Sequence, residues 1–80
     1  MTLDVIMMPE AERGLARITS PELWTRVVRR LESLGTHPEQ GRRLPGDRFV
    51  TLVGKCRIIS RYGAIGTIEV LSIHFNSEED

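Results

Sequence analysis

Cysteine is nearly missing from this 80-residue chain, where Cys56 stands alone. An internal disulfide is thereby excluded, and a lone thiol fits a reducing compartment. Long apolar runs are missing too. Nothing approaches the ~20 residues that span a bilayer. The opening MTLDVIMMPEAER has no basic segment ahead of its apolar stretch, which ends at Pro9. The expectation is a cytoplasmic protein with no membrane contact. Metal-ligand spacing is also lacking: His37 precedes a proline and has no cysteine or histidine at ligand distance. No metal or cofactor is expected. Lysine is reduced to Lys55, against ten arginines.

The formal net charge is zero, but the charges are segregated. All eleven basic residues lie between Arg13 and Arg61, with only Glu22, Glu32, Glu39 and Asp47 among them, a local net of +7. The compensating acids sit at the ends: Asp4, Glu10, Glu12, Glu69, Glu78, Glu79 and Asp80. A basic body with acidic ends can present a positive surface to RNA or to an acidic partner. Arginine in place of lysine favours planar, bidentate contacts with phosphate or carboxylate. The helix arginines Arg13, Arg17, Arg26, Arg29 and Arg30 read more simply as solvated surface.

A chain this short builds one core. Leu3 to Met8 reads as a strand stopped by Pro9, which suits the first turn of a helix. Glu10 and Glu12 favour that N-terminus, and Ala11, Leu15 and Ile18 give the helix one apolar face. Gly14 weakens it by ~1 kcal/mol relative to alanine. Thr19-Ser20-Pro21-Glu22 restarts a helix with capping-box spacing. Leu23, Val27, Leu31 and Leu34 form its apolar stripe, widened by Trp24 and Val28, with Trp24 expected in the core. Gly35 reads as its C-cap. Residues 37–46 read as a loop. Arg48 to Val53, Lys55 to Tyr62 and Thr67 to Phe75 read as strands joined by turns at Gly54-Lys55 and residues 63–66. The spacing predicts an α+β domain over residues 1–75: a strand, two antiparallel helices, then a three-stranded antiparallel meander. Residues 76–80 are expected to be an acidic, flexible tail. Cys56, within a strand, is expected buried and inert.

Three segments carry a family resemblance. MPEAERGLARI is similar to the start of the first helix of RelE/ParE-superfamily toxins. LPGDRFVTLVGKCRIISRY resembles their hairpin, with its Leu-x-Gly lead-in, Val-Gly turn and Arg-Ile-Ile core. TIEVLSIHF resembles their last strand, and its His-Phe ending is nearest the YoeB-like branch, which closes on His-Tyr. There are departures: Val50 and Leu52 stand where ribonuclease members carry basic residues, and Cys56 and Ser60 stand where aromatics are common.

The resemblance implies the toxin half of a bacterial toxin–antitoxin pair, a ribosome-dependent, metal-independent mRNA endoribonuclease. In that reaction a ribose 2′-OH attacks the adjacent phosphate. It requires a base, a cation for the phosphorane charge and an acid for the leaving 5′-oxygen. The resemblance puts Arg57 at the cation position and His74 at an acid or base position, an imidazole being suited to proton transfer near neutrality. Glu39 is a further acid–base candidate. Arg42, Arg43 and Arg48 are candidates for RNA or partner contact, with Lys55 and Arg61, which share the Arg57 face by strand alternation, and with Phe75 for base stacking. Two alternatives stay open: a ParE-type inhibitor of DNA gyrase, suggested by Val50 and Leu52, and a toxin-fold binding module that has lost activity. All three imply a cognate antitoxin and a hetero-oligomer with it.

Overall fold

Each helix begins where the sequence offers a proline with a free first turn. The computed structural model describes residues 2–75. Within it, helix α1 spans Pro9–Ala16 and helix α2 spans Pro21–Ser33. Ser20 caps α2, its hydroxyl accepting from the Leu23 amide at 3.2 Å. Five strands complete the described residues: β1 (Asp4–Met7), β2 (Arg42–Leu44), β3 (Arg48–Val53), β4 (Cys56–Tyr62) and β5 (Thr67–Phe75). The expected acidic tail, residues 76–80, lies outside the described residues.

The strands form one sheet in the order β1-β5-β4-β3-β2. The β3–β4 hairpin turns on Gly54 and Lys55, with Gly54 at φ 58°, as a primed two-residue turn requires. Strand β1 lies parallel to β5, and every other pairing is antiparallel. Between β4 and β5 the register steps at Ile59 and Ser60, leaving Leu71 as an extra residue on β5.

The loop expected over residues 37–46 is corrected: Arg42–Leu44 pairs with Arg48–Val50 as an edge strand. Its only apolar residue is Leu44, so it carries no alternation to read. Pairing partners and a three-residue turn, with Gly46 at φ 82° and Asp47 at φ 60°, make it a strand.

Both helices cover one face of the sheet. Val27, Leu31 and Leu34 from α2 and Ala11 from α1 meet Val53, Cys56, Ile58, Ile68, Val70 and Ile73 in one core. Cys56 is fully buried, and burial pushes its thiol pKa up. Ser60 is equally buried, and among the described residues its hydroxyl has no hydrogen-bond partner. Trp24 is not core. It is 44% exposed, because it lies about 100° round the helix from Leu23, on the flank of the stripe.

Two glycines act by proximity. A Cβ at Gly14 would stand 2.0 Å from the carbonyl oxygen of Ile73, so α1 rests directly on the β5 backbone. Gly35 likewise has no room, at 2.7 Å from the Leu3 carbonyl oxygen, and its own carbonyl accepts from the Leu3 amide at 2.7 Å. It is not the C-cap expected of it. Leu34 caps α2 in the right-handed helical conformation, and close packing against Leu3 is what requires a glycine next.

Candidate functional site: an arginine-lined groove on the open face

Strand alternation separates the two faces of the sheet. On β4, Cys56, Ile58 and Ser60 turn under the helices, while Arg57, Ile59 and Arg61 turn to the uncovered side. On β3, Phe49, Thr51 and Val53 are buried, and Arg48, Val50 and Leu52 face out with the β4 set. Pairing aligns these residues in rows. Leu52, Arg57 and His74 form one row across β3, β4 and β5. Arg42, Val50, Ile59 and Ser72 form the next, and Leu44, Arg48, Arg61 and Glu69 a third. Directly opposed residues in such rows have Cβ atoms ~5 Å apart. Arg57 and His74 are therefore immediate neighbours, with Leu52, 66% exposed, on the other flank of Arg57.

Because β2 is short, it leaves the lower part of β3 without an outer neighbour, and the surface there is concave. The resulting groove holds about 670 Å³ and has an apolar floor that includes Val50, Leu52 and Ile59. Arg42 and Arg57 line it from the sheet, and Arg30 lines it from α2. Among the described residues no carboxylate lines it. Among the described residues none of these three guanidinium groups has an ion-pair partner, whereas Arg13, Arg43 and Arg61 pair with Glu10, Asp47 and Glu69. Gly41 shapes the rim. Its φ is +88°, and a Cβ would stand 2.2 Å from the Val50 carbonyl oxygen.

The remaining candidates lie elsewhere. Arg61 is held by Glu69, Nε to Oε1, at 2.9 Å. Arg48 faces Arg61 across the strands, and Glu69 on the far side of Arg61 offsets that like-charge contact. Arg43 turns to the helix-covered side. It donates to Asp47 at 3.0 Å and lies over the Phe49 ring at 5.8 Å. Lys55 sits in the β3–β4 turn. Phe75 pairs with Cys56 and so points to the same side as the core, away from Arg57. It borders α1 near Gly14 and Arg17.

Glu39 is not brought to Arg57 or His74. Its Oε2 accepts from the Tyr62 hydroxyl at 2.6 Å, beside the Phe49 ring, which meets Tyr62 edge-on with centroids 5.9 Å apart. The hydrogen bond to the carboxylate pushes the Tyr62 pKa above its usual 10.0, with a smaller contribution from burial, and Arg43 opposes the shift. The folded state thus favours the neutral phenol. Its contribution to stability is complete below the unfolded pKa of ~10 and is lost as pH rises through the higher folded pKa. Tyr62 is the sole tyrosine, so tyrosinate absorbance reads this site alone. The titration midpoint is expected above 10 in the native protein and lower in Glu39→Gln. Equal midpoints would remove the contact.

Two groove residues have no signal of their own in the sequence. Arg30 looks there like any other solvated helix arginine. One turn earlier, Arg26 Nη1 lies 3.6 Å from the place of a Gly54 Cβ, so this flank of α2 runs along β3. Only that packing brings Arg30 to the groove. Gly41 sits in what reads as a loop, and its role depends on the unforeseen strand.

No family model matches the chain, and no curated protein matches it. The fold is nonetheless shared with solved structures of RelE toxins. The toxin–antitoxin complex RelBE2 from Mycobacterium tuberculosis contains a chain that superposes with a TM-score of 0.80 at 21% identity, covering 94% of this chain and 99% of that one. Toxin RelE from E. coli in the free state, a mutant with two arginines changed to alanine, superposes with a TM-score of 0.72 at 10% identity, covering 99% and 88%. The α+β class expected from the sequence is the RelE-like fold, with the additional edge strand. Among the described residues no helix is long and apolar enough to cross a membrane.

Proposed function

We propose that this chain is the toxin of a toxin–antitoxin pair and that it cleaves mRNA on the ribosome. The observation that carries the reading is the Arg57–His74 pair, directly opposed on β4 and β5, with Arg57 lining a groove that among the described residues holds three arginines and no carboxylate. Arg57 would hold the scissile phosphate through both arms of its guanidinium and stabilise the charge that develops on the phosphorane. His74 would move a proton, either from the attacking 2′-OH or to the leaving 5′-oxygen. Glu39 and Phe75, on the other side of the sheet, are not assigned steps at this pair. An antitoxin partner follows from the same reading, and the solved RelBE2 complex, a toxin with its antitoxin, supports it.

A second reading rests on Leu52. An exposed apolar side chain beside Arg57, where the resemblance implies a cation, suits contact with a protein such as DNA gyrase. Induction of the chain alone separates the two. Ribonuclease action is expected to arrest growth with a collapse of bulk translation and no DNA-damage response. A damage response with translation intact, together with inhibition of supercoiling by purified gyrase, would replace the first reading with the second. Undisturbed growth would remove both.

A further inference from the structure

Arg57 accounts for one phosphate, yet the groove presents two further arginines that the cleavage step does not use. We propose that Arg30 and Arg42 form a second phosphate subsite, so that the groove grips two consecutive phosphates of single-stranded RNA. The base between them rests on Val50 and Leu52. This inference rests on the ribonuclease reading for its substrate class and extends it to how the strand is held.

The geometry comes from the register. Arg42 lies in the row next to Arg57 and two strands away, an offset of ~7 Å along the strands and ~10 Å across them. Guanidinium groups reaching inward from those positions over a shared floor serve two sites rather than one. Arg30 lines the same groove from α2. Among the described residues three cations and no carboxylate line the groove, which suits a ligand charged at every repeat. Polynucleotide backbone supplies one charge per nucleotide and also a planar apolar face for the floor. A peptide matches that charge density only as an unbroken acidic run, which would leave Val50, Leu52 and Ile59 uncovered. The floor is aliphatic, so the base contact is dispersion and desolvation with no edge readout, and it predicts weak base preference at this position.

The test uses the full chain carrying His74→Gln, which holds RNA without consuming it, and a dye-labelled short single-stranded RNA. Arg30→Gln and Arg42→Gln are each expected to weaken binding about tenfold. Each should also lower the slope of log K against log salt by about 0.7, the value for one phosphate neutralised on a single strand. Arg29→Gln, a neighbouring exposed arginine outside the groove, should leave both unchanged. Circular dichroism checks that every variant is folded. The proposal is overturned by unchanged affinity and slope in both groove variants, by an Arg29→Gln effect of equal size, or by losses seen with a poly-glutamate peptide and not with RNA. Cleavage in a translating extract, measured on the chain with His74 intact, is scored separately. Cleavage without any Arg30 or Arg42 dependence of binding sinks the subsite alone. The predicted binding losses without cleavage sink the ribonuclease reading and leave the subsite standing.

Discussion

Replacing Arg57 with alanine is expected to slow mRNA cleavage in a translating extract by about 10²–10³-fold, the usual loss when a group stabilising developing charge is removed. The position makes this a clean experiment. Arg57 is exposed, lies between Leu52 and His74, and among the described residues has no carboxylate partner, so no ion pair is broken by its removal. Stability should change by no more than ~0.5 kcal/mol. Arg57→Lys keeps the charge and loses the two-armed geometry, so it should recover only part of the rate. His74→Ala is expected to cost about 10²–10⁴-fold, as loss of a positioned proton-transfer group does. Cleavage at the unmodified rate by both alanine variants would remove this chemistry from the protein.

The second large effect falls on folding and reverses a propensity rule. Helix propensity alone says that Gly14→Ala should stabilise α1 by ~1 kcal/mol. The added methyl would instead stand 2.0 Å from the Ile73 carbonyl oxygen, on a strand whose Ile73 pairs with Ile58 of β4. Neither element can yield without disturbing the core, so a net loss of about 3 kcal/mol is expected, at the upper end of typical overpacking costs. A domain of this size has roughly 4–12 kcal/mol in total. At ~4–8 °C per kcal/mol, the melting midpoint should fall by more than ~10 °C. Gly66→Ala is the comparison: its Cβ meets nothing within 4 Å, and only its φ of +83° opposes it, at about 1–2 kcal/mol. A Gly14→Ala protein that melts at or above the parent would show that α1 does not rest on β5 in this way.

These glycines illustrate what a sequence discloses. Periodicity makes α2 legible because Val27, Leu31 and Leu34 recur on one stripe, and β-branched and aromatic runs bounded by turn residues make β3 and β4 legible. Alternation along β4 is also enough to set Arg57, Ile59 and Arg61 on the face opposite Cys56 and Ile58. Contacts between elements are different. Gly14 reads as a flaw in a helix and Gly35 as a cap, and only the approach of Ile73 and Leu3 gives either its purpose. Trp24 reads as core because the stripe is broad in sequence, and the edge of the packed area decides otherwise. Within the candidate site, the pairing of Arg57 with His74 needs a register that depends on the step at Ile59 and Ser60, which no local pattern encodes. Arg30 joins through the packing of a helix against a sheet edge, and Glu39 leaves through a hydrogen bond to Tyr62 23 positions away.

Strand β5 also sets a clock. Asp4 pairs with Thr67, 63 positions later, and β5 is the strand that joins β1 to the rest of the sheet. Such distant closure is slow compared with helix formation and yields nothing until β5 is present. A nascent chain that has not yet reached Thr67 holds Arg57 but neither the sheet position that frames it nor His74. The two halves of the proposed chemistry therefore become one surface only once β5 has been made, and a product truncated before it would be without that surface.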